Sequence, residues 1–165
     1  MKRVLFALFA FACGSGFAQP TVTTFILIRH AEKGNDGTKD PDLTDAGKKR
    51  AESLVQLLKE TKIDAIYSTA FKRTGNTVVP LAQSKKLAVR TYDASRMEEV
   101  DAILREFKGG TILLCGHSNT TPAIANYLTG HKDEYKAFDD SDYDNVLVVD
   151  VIERGTAAKV VWLNY

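Results

Sequence analysis

The sequence contains little cysteine, little proline and no excess of charge of either sign. Two cysteines among 165 residues cannot build a disulfide framework, and four prolines and eleven glycines give no collagen-like pattern. The 22 basic and 21 acidic residues leave a net charge of +1, without the basic excess typical of nucleic-acid-binding proteins. Apolar residues make up 44% and charged residues 26%, which excludes a disordered chain or a polytopic membrane protein and predicts one globular domain with its own core.

The first 18 residues predict a secretory signal peptide. Lys2 and Arg3 form a positive start, ten apolar residues follow, and Gly16 and Ala18 place small residues at the −3 and −1 positions of a cleavage site. This apolar run is too short to span a bilayer, which needs about 20 such residues. The alternative is a buried first strand or a short anchor.

Such a signal peptide would direct the chain to the periplasm or the medium and be cleaved after Ala18, which leaves residues 19–165 as one domain. Lipidation at Cys13 is an alternative, although Ala10 occupies the position where a lipid-attachment motif usually has leucine. Cleavage removes two basic residues and no acidic ones, so the net charge changes from +1 to −1. Cys115 would be the single remaining cysteine, and the mature chain would have no internal disulfide.

The rest of the chain alternates between strand and helix patterns. Short apolar runs bounded by polar residues predict strands, and apolar residues spaced three and four apart predict helices. The predicted strands are Thr24–Arg29, Ile63–Ser68, Leu87–Tyr92, Thr111–Cys115, Val146–Val151 and Ala157–Leu163. The first predicted helix begins at Thr44, which suits the N-cap position. The other predicted helices cover 70–84, cover Met97–Phe107 and start near Asn119.

This alternation predicts a single three-layer α/β domain. A largely parallel central sheet of about six strands would carry helices on both faces. The last two strands are joined by a turn at Arg154 and Gly155, so we expect them to add an antiparallel hairpin at the edge.

Two of the predicted strands are followed by histidine within two residues. The first strand ends in Arg29 and is followed by His30, and the fourth is followed by Gly116 and His117. Because ligands of parallel α/β sheets bind at the carboxyl ends of the strands, both imidazoles should lie at one edge. Arg73, after the second strand, should reach the same edge, where a guanidinium can hold a phosphate through two hydrogen bonds. Each residue alone also fits a structural role, but together they indicate a phosphoryl-binding pocket.

Four short motifs occur in a fixed order along the chain. They are a strand followed by Arg-His, a Leu-Thr-x-x-Gly-x-x-x-Ala segment, a strand followed by Ser, Arg and Thr, and a Gly-His-Ser segment. They lie at Leu27–Glu32, Leu43–Ala51, Tyr67–Thr74 (with Thr77 further on) and Gly116–Asn119. In these motifs the chain resembles the histidine phosphatase superfamily, which has the phosphoglycerate mutase-like fold, and in particular a small secreted branch of it.

The resemblance implies a covalent phosphoryl transfer. His30 would be the nucleophile that takes the phosphoryl group, and the phosphohistidine would then be hydrolysed. Two arginines and the second imidazole would stabilise the charge on the equatorial oxygens in the transition state, so that no metal and no cofactor is implied. The residues expected to bind the substrate are Arg29, Arg73, His117, Ser118 and Asn119.

Two positions bear on how far the resemblance holds. Ala31 stands where the family has glycine, and its methyl group would disfavour a positive φ. The acid that protonates the leaving group is expected after the third strand, where Asp93 is the best-placed carboxylate; Glu98 and Glu99 lie within the third helix. The alternative role of Asp93 is a turn or helix-cap residue near Ser95. Without an acid, a phosphoramidate is the more natural substrate.

We therefore predict a phosphatase that hydrolyses a phosphomonoester or a phosphoramidate through a phosphohistidine. The substrate would be a small phosphorylated molecule or a phosphoprotein. The connections are short and lack the long insertion that closes the site of mutases. One alternative is a catalytically impaired relative that binds phosphate or a partner. Another is a metal hydrolase that uses His30, Glu32, His117 and His131, although the chain has no HExxH motif.

Three further residues or segments have alternative interpretations. Arg29 could pair with Glu32 instead of binding phosphate. The acidic segment 139–144 begins like a calcium-binding loop but lacks its glycine and its final glutamate, so a solvated loop is predicted. Cys115 lies on a buried strand and is predicted to pack in the core.

Overall fold

A computed structural model describes residues 19–165; the signal peptide predicted for residues 1–18 lies outside the described residues. The strands are β1 Thr23–Arg29, β2 Ala65–Ser68, β3 Val89–Thr91, β4 Thr111–Gly116, β5 Asn145–Glu153 and β6 Ala157–Asn164. The helices are α1 Asp45–Leu57, α2 Lys72–Lys85, α3 Met97–Glu106 and α4 Thr120–Thr129. None of these helices is both long and apolar enough to cross a membrane.

All six strands form one sheet in the order β3–β2–β4–β1–β5–β6. The first four are parallel, whereas β5 pairs antiparallel with β1 and β6 pairs antiparallel with β5. The sheet is therefore mixed, which corrects the prediction of a largely parallel sheet; the predicted antiparallel hairpin at the edge is confirmed. The cause is the long segment 130–144, which returns the chain to the carboxyl edge of the sheet before β5 begins, so that Val146 pairs with Ile28.

Helices cover both faces of the sheet, as predicted. Phe25 and Leu27 of β1 pack with α3 and α4, and Ile26 and Ile28 point to the opposite face, where α1 and α2 pack. Because both faces are covered, the apolar run of β1 is buried on both sides and does not alternate with polar residues. Cys115 is fully buried among the apolar side chains on the α1–α2 face, as predicted.

The start of α1 presses against the segment that follows β1. Thr44 caps the helix, as predicted, and its hydroxyl accepts a hydrogen bond from the Gly47 N–H at 3.1 Å. The Thr44 N–H in turn donates to the Glu32 carbonyl at 2.9 Å. A Cβ atom on Gly47 would lie 2.3 Å from the same carbonyl oxygen, so only glycine permits this approach. The Leu-Thr-x-x-Gly segment thus fixes the backbone two residues beyond His30.

Candidate active site

The structure places His30 and His117 together at the carboxyl edge of the sheet, as the two strand ends predict. The strands β1 and β4 are parallel neighbours with Arg29 opposite Gly116, so the residue after each strand emerges at the same level. The His30 N–H donates to the Gly116 carbonyl at 2.9 Å, and the two imidazole centroids are 5.5 Å apart. Two ionisable rings therefore flank one point at the edge of the sheet.

His30 has one ring nitrogen engaged and the other free to react. Its Nδ1 lies 2.8 Å from the Ala31 carbonyl oxygen. Because a carbonyl only accepts, Nδ1 carries the proton and the lone pair is on Nε2. Burial, together with the positive charge of Arg29, lowers the pKa of His30 from 6.5 to about 4. At neutral pH the ring is therefore an uncharged imidazole, which is the form that can act as a nucleophile.

Ala31 occupies the position of the expected glycine without backbone strain. Lys86 is the one non-glycine residue with a positive φ between residues 19 and 165, so Ala31 does not need the conformation that its methyl group disfavours. The Ala31 N–H donates to Thr77 Oγ1 at 2.9 Å, and Thr77 Oγ1 donates to the Arg73 carbonyl at 2.7 Å. This hydroxyl joins the segment after β1 to the first turn of α2.

Arg29 is buried and held by the acidic segment. Its Nη1 donates to the carbonyls of Asp139 and Asp142 at 2.7 and 2.8 Å, and its guanidinium carbon lies 4.1 Å from the ring centroid of Tyr143. The Asp140 carboxylate is 3.9 Å from Nη2. The side chains of Asp139 and Asp140 are exposed, as expected of a solvated loop. The backbone of this loop, however, forms one wall of the candidate site, which the sequence did not indicate.

Glu32 turns away from Arg29, so the alternative pairing of these two residues is not observed. Arg50 binds the Glu32 carboxylate through Nε, at 3.0 and 3.1 Å, and through Nη2, at 2.8 Å. The hydrogen bonds from Arg50 lower the pKa of Glu32. Because α1 docks beside the segment after His30, the Glu32 carboxylate pairs with Arg50. Arg29 is therefore not neutralised by Glu32 and can bind another anion.

Arg73 reaches the same edge from α2. Its guanidinium carbon lies 4.3 Å from the Phe71 ring centroid, and its Nη1 is 3.5 Å from the Asp40 carboxylate. The Nε atoms of Arg73 and Arg29 are both buried and have no hydrogen-bond partner among residues 19–165. Buried guanidinium donors are rarely left unpaired, so the two arginines have unused capacity to bind an anion.

A chain of hydroxyl groups orients His117. Thr74 Oγ1 lies 2.8 Å from the Phe71 carbonyl and donates its single proton to the backbone. Thr69 Oγ1 then donates to Thr74 Oγ1 at 3.0 Å, so the His117 Nε2 at 3.1 Å from Thr69 Oγ1 must be the donor. Burial, followed by the charge of Arg73, lowers the pKa of His117 to about 4. The sequence did not indicate that Thr69 and Thr74 orient His117, although both lie in the third motif.

Asp93 lies on the wall of a cavity of about 530 Å³ that His117 also lines. Its Oδ1 accepts hydrogen bonds from the Ser95 N–H at 2.9 Å and from Ser95 Oγ at 2.6 Å. These bonds lower the pKa of Asp93, so the carboxylate is ionised at neutral pH. The turn with Ser95 is therefore present, and a role as leaving-group acid stays a prediction.

The two residues after His117 do not line the cavity that contains Asp93. The Ser118 carbonyl accepts a hydrogen bond from the Phe138 N–H at 3.0 Å, which ties the long segment after α4 to the site. Asn119 precedes α4 and lines a different cavity of about 480 Å³. Their predicted contact with substrate stays a prediction.

The residues of the metal-hydrolase alternative do not form one ligand set. Glu32 is bound to Arg50, and His131 Nε2 lies 3.0 Å from Glu134. Within residues 19–165 no three histidine, cysteine, aspartate or glutamate side chains are grouped closely enough to hold a metal ion. The imidazoles of the candidate site are accompanied by arginines rather than by carboxylates.

A family model and a curated relative match part of this chain. The model of the histidine phosphatase superfamily (branch 1) matches residues 25–101. Phosphoserine phosphatase 1 of Hydrogenobacter thermophilus is 42% identical over 46% of this chain, and the match spans only 38% of that relative's length.

Solved structures share the fold at low sequence identity. A mycobacterial glucosyl-3-phosphoglycerate phosphatase superimposes with a TM-score of 0.68 at 15% identity, over 87% of this chain and 99% of that one. The protein histidine phosphatase SixA complexed with tungstate gives 0.70 at 15% identity, over 86% and 96% of the two chains. Bacillus stearothermophilus YhfR gives 0.69 at 16% identity, over 84% and 95%. The family model matches just under half of the chain, and these solved structures show that the described residues share their fold.

Proposed function

We propose that the chain is a metal-independent phosphatase that forms a phosphohistidine on His30. One observation carries the proposal: a neutral imidazole with a free Nε2 lies beside Arg29, Arg73 and His117, and both guanidiniums have a buried donor without a partner. A nucleophilic nitrogen and unpaired cationic donors at one point are the groups that metal-free phosphoryl transfer requires.

The reaction would proceed in two displacements at phosphorus. In the first, His30 Nε2 forms a bond to phosphorus while the bond from phosphorus to the leaving oxygen breaks, and that oxygen takes up a proton. In the second, water attacks, the nitrogen–phosphorus bond breaks, and inorganic phosphate leaves the neutral imidazole behind. The Nδ1–H bond to the Ala31 carbonyl stabilises the positive charge that the ring acquires in the intermediate. An anion between the arginines also raises the pKa of His117, which favours its protonated form as a further donor.

Protonation of the leaving group is the step for which this site is least equipped. Asp93 remains our candidate for the acid because it lines the same cavity as His117, but Ser95 holds it in the ionised form. Aryl phosphates and phosphoramidates, whose leaving groups need less help from an acid, should therefore react faster than unactivated alkyl phosphates.

Phosphate release from p-nitrophenyl phosphate should persist in excess EDTA, because side chains supply the cationic charge. Initial rates with EDTA, and with magnesium, manganese or zinc ions added back, test this. Rapid denaturation of the enzyme during turnover should also trap a phosphorylated chain. The phosphoryl group on this chain should be lost in acid. A rate that EDTA abolishes and a divalent ion restores would contradict the mechanism. Phosphate binding without turnover would favour the impaired, phosphate-binding relative.

We further propose that the chain belongs to a small secreted branch of the superfamily and acts in the periplasm or the medium on a small phosphorylated molecule or a phosphoprotein. The support is the pattern of residues 1–18. Expressed with its full sequence, the exported protein should begin at Gln19, and its intact mass checks this. An uncleaved chain in the cytoplasm would contradict the proposal, and a lipid-sized mass increase on Cys13 would favour the lipid-anchored alternative.

A further inference from the structure

The cavity beside His117 is the compartment in which the rest of a substrate would lie. It measures about 530 Å³ and is built by the segments that follow β2, β3 and β4 at the carboxyl edge. Its wall includes Thr69, Phe71, Tyr92, Asp93, Glu99 and His117. Since the arginines and imidazoles beside it suit the phosphoryl group, this compartment meets the alcohol part of the ester.

The charge of this compartment is negative. Asp93 and Glu99 contribute carboxylates, and no lysine or arginine lines the cavity among the described residues. One oxygen of Glu99 accepts the Asp93 N–H at 2.9 Å, which holds the two acids side by side. Arg96 lies 3.3 Å from the other oxygen of Glu99, but its side chain is 63% exposed and outside the cavity wall, so solvent screens this pair.

Two aromatic residues complete the wall. Phe71 is 40% exposed, and its ring meets that of His117 edge-on with centroids 5.1 Å apart. Tyr92 is only 4% exposed, and its hydroxyl makes no hydrogen bond to any residue from 19 to 165. Burial raises the pKa of Tyr92, so the hydroxyl stays protonated and keeps both a donor and an acceptor site for a ligand. The Tyr92 hydroxyl therefore gives the wall of the compartment a polar group that a ligand can bind.

We propose that the physiological substrate is the phosphomonoester of a small amino alcohol, whose ammonium group lies between Asp93, Glu99 and the Tyr92 hydroxyl. This inference rests on the proposed phosphatase function. The two carboxylates attract an ammonium and repel a carboxylate on the leaving group. The Tyr92 hydroxyl oxygen can accept a hydrogen bond from the ammonium. The exposed ring of Phe71 packs against the short carbon chain.

The test compares esters of matched size on the full chain. O-phosphoethanolamine carries an ammonium, n-propyl phosphate is its uncharged isostere, and 2-phosphoglycolate carries a carboxylate. We expect kcat/KM to fall in that order. Glu99→Gln and Asp93→Asn keep the shape and one acceptor oxygen each, and each should reduce the ratio of phosphoethanolamine to propyl phosphate by about fivefold, the effect of one partly screened ion pair. The different reactivities of the two esters cancel in this comparison between variants.

Glu98→Gln is the matched control, since it removes the same charge from an exposed neighbour on α3 that does not line the cavity. It should leave the ratio unchanged. A ratio that neither Glu99→Gln nor Asp93→Asn changes, with p-nitrophenyl phosphate still hydrolysed, overturns the amino-alcohol inference and leaves the phosphatase proposal intact. No hydrolysis of any ester, p-nitrophenyl phosphate included, contradicts both. Circular dichroism of each variant confirms that it is folded.

Discussion

Replacing His30 with asparagine is expected to lower the turnover of p-nitrophenyl phosphate by at least about 10,000-fold and to abolish the trapped phosphorylated chain. Asparagine can still donate to the Ala31 carbonyl, the partner of Nδ1, but it has no nitrogen lone pair with which to attack phosphorus. Initial rates and rapid denaturation of the variant during turnover measure both effects. The loss is large because the variant lacks the atom to which the phosphoryl group bonds.

His117→Asn is the matched control for this prediction. His117 lies with its ring centroid 5.5 Å from that of His30 but forms no covalent bond in the proposed mechanism. Its loss should slow turnover by roughly 100- to 1000-fold, the effect of removing one group that stabilises transition-state charge, while a phosphorylated chain can still be trapped. If a phosphorylated chain can still be trapped in His30→Asn, or if turnover falls by less than about tenfold, another residue is the nucleophile.

Local patterns were enough to predict the two imidazoles at one edge. Each of the strands before His30 and His117 is an apolar run that ends abruptly in polar residues, and residues after parallel strands emerge on the same side of a sheet. The pairing of β1 with β4 then sets the 5.5 Å separation. Likewise, the Thr44 cap and the edge hairpin depend on neighbouring residues, and both were predicted correctly.

The partners of the charged groups could not be predicted, because they depend on how distant segments return to the edge. Arg29 is held by carbonyls more than one hundred positions away, and backbone carbonyls leave no trace in the residue types. Glu32 faces Arg50 because Gly47 lets α1 approach closely. The direction of β5 follows from the path of residues 130–144, which the strand–helix alternation of the sequence does not specify.

Replacing Arg29 with lysine is expected to lower kcat/KM for p-nitrophenyl phosphate by roughly 100- to 1000-fold and to destabilise the fold by about 2 kcal/mol. The guanidinium has two tasks: Nη1 holds the carbonyls of Asp139 and Asp142, and the buried Nε is a spare donor for an anion. A lysine has one nitrogen and cannot serve both directions at once. Steady-state kinetics, the inhibition constant of inorganic phosphate and thermal unfolding measure the two effects separately.

Arg90→Lys is the control that separates the general cost of replacing an arginine with lysine from an effect on the candidate site. Arg90 also lies over an aromatic ring, 4.8 Å from the centroid of Tyr67, and binds both oxygens of Glu106, at 2.6 and 3.1 Å. It is outside the candidate site, so its replacement should lower the melting temperature slightly and leave kcat/KM unchanged. Arg29→Lys should instead weaken inhibition by phosphate, even at temperatures where the variant is fully folded. If both variants lose only stability, Arg29 serves to fasten the 139–143 loop, and Arg73 would be the sole guanidinium to hold the phosphoryl group.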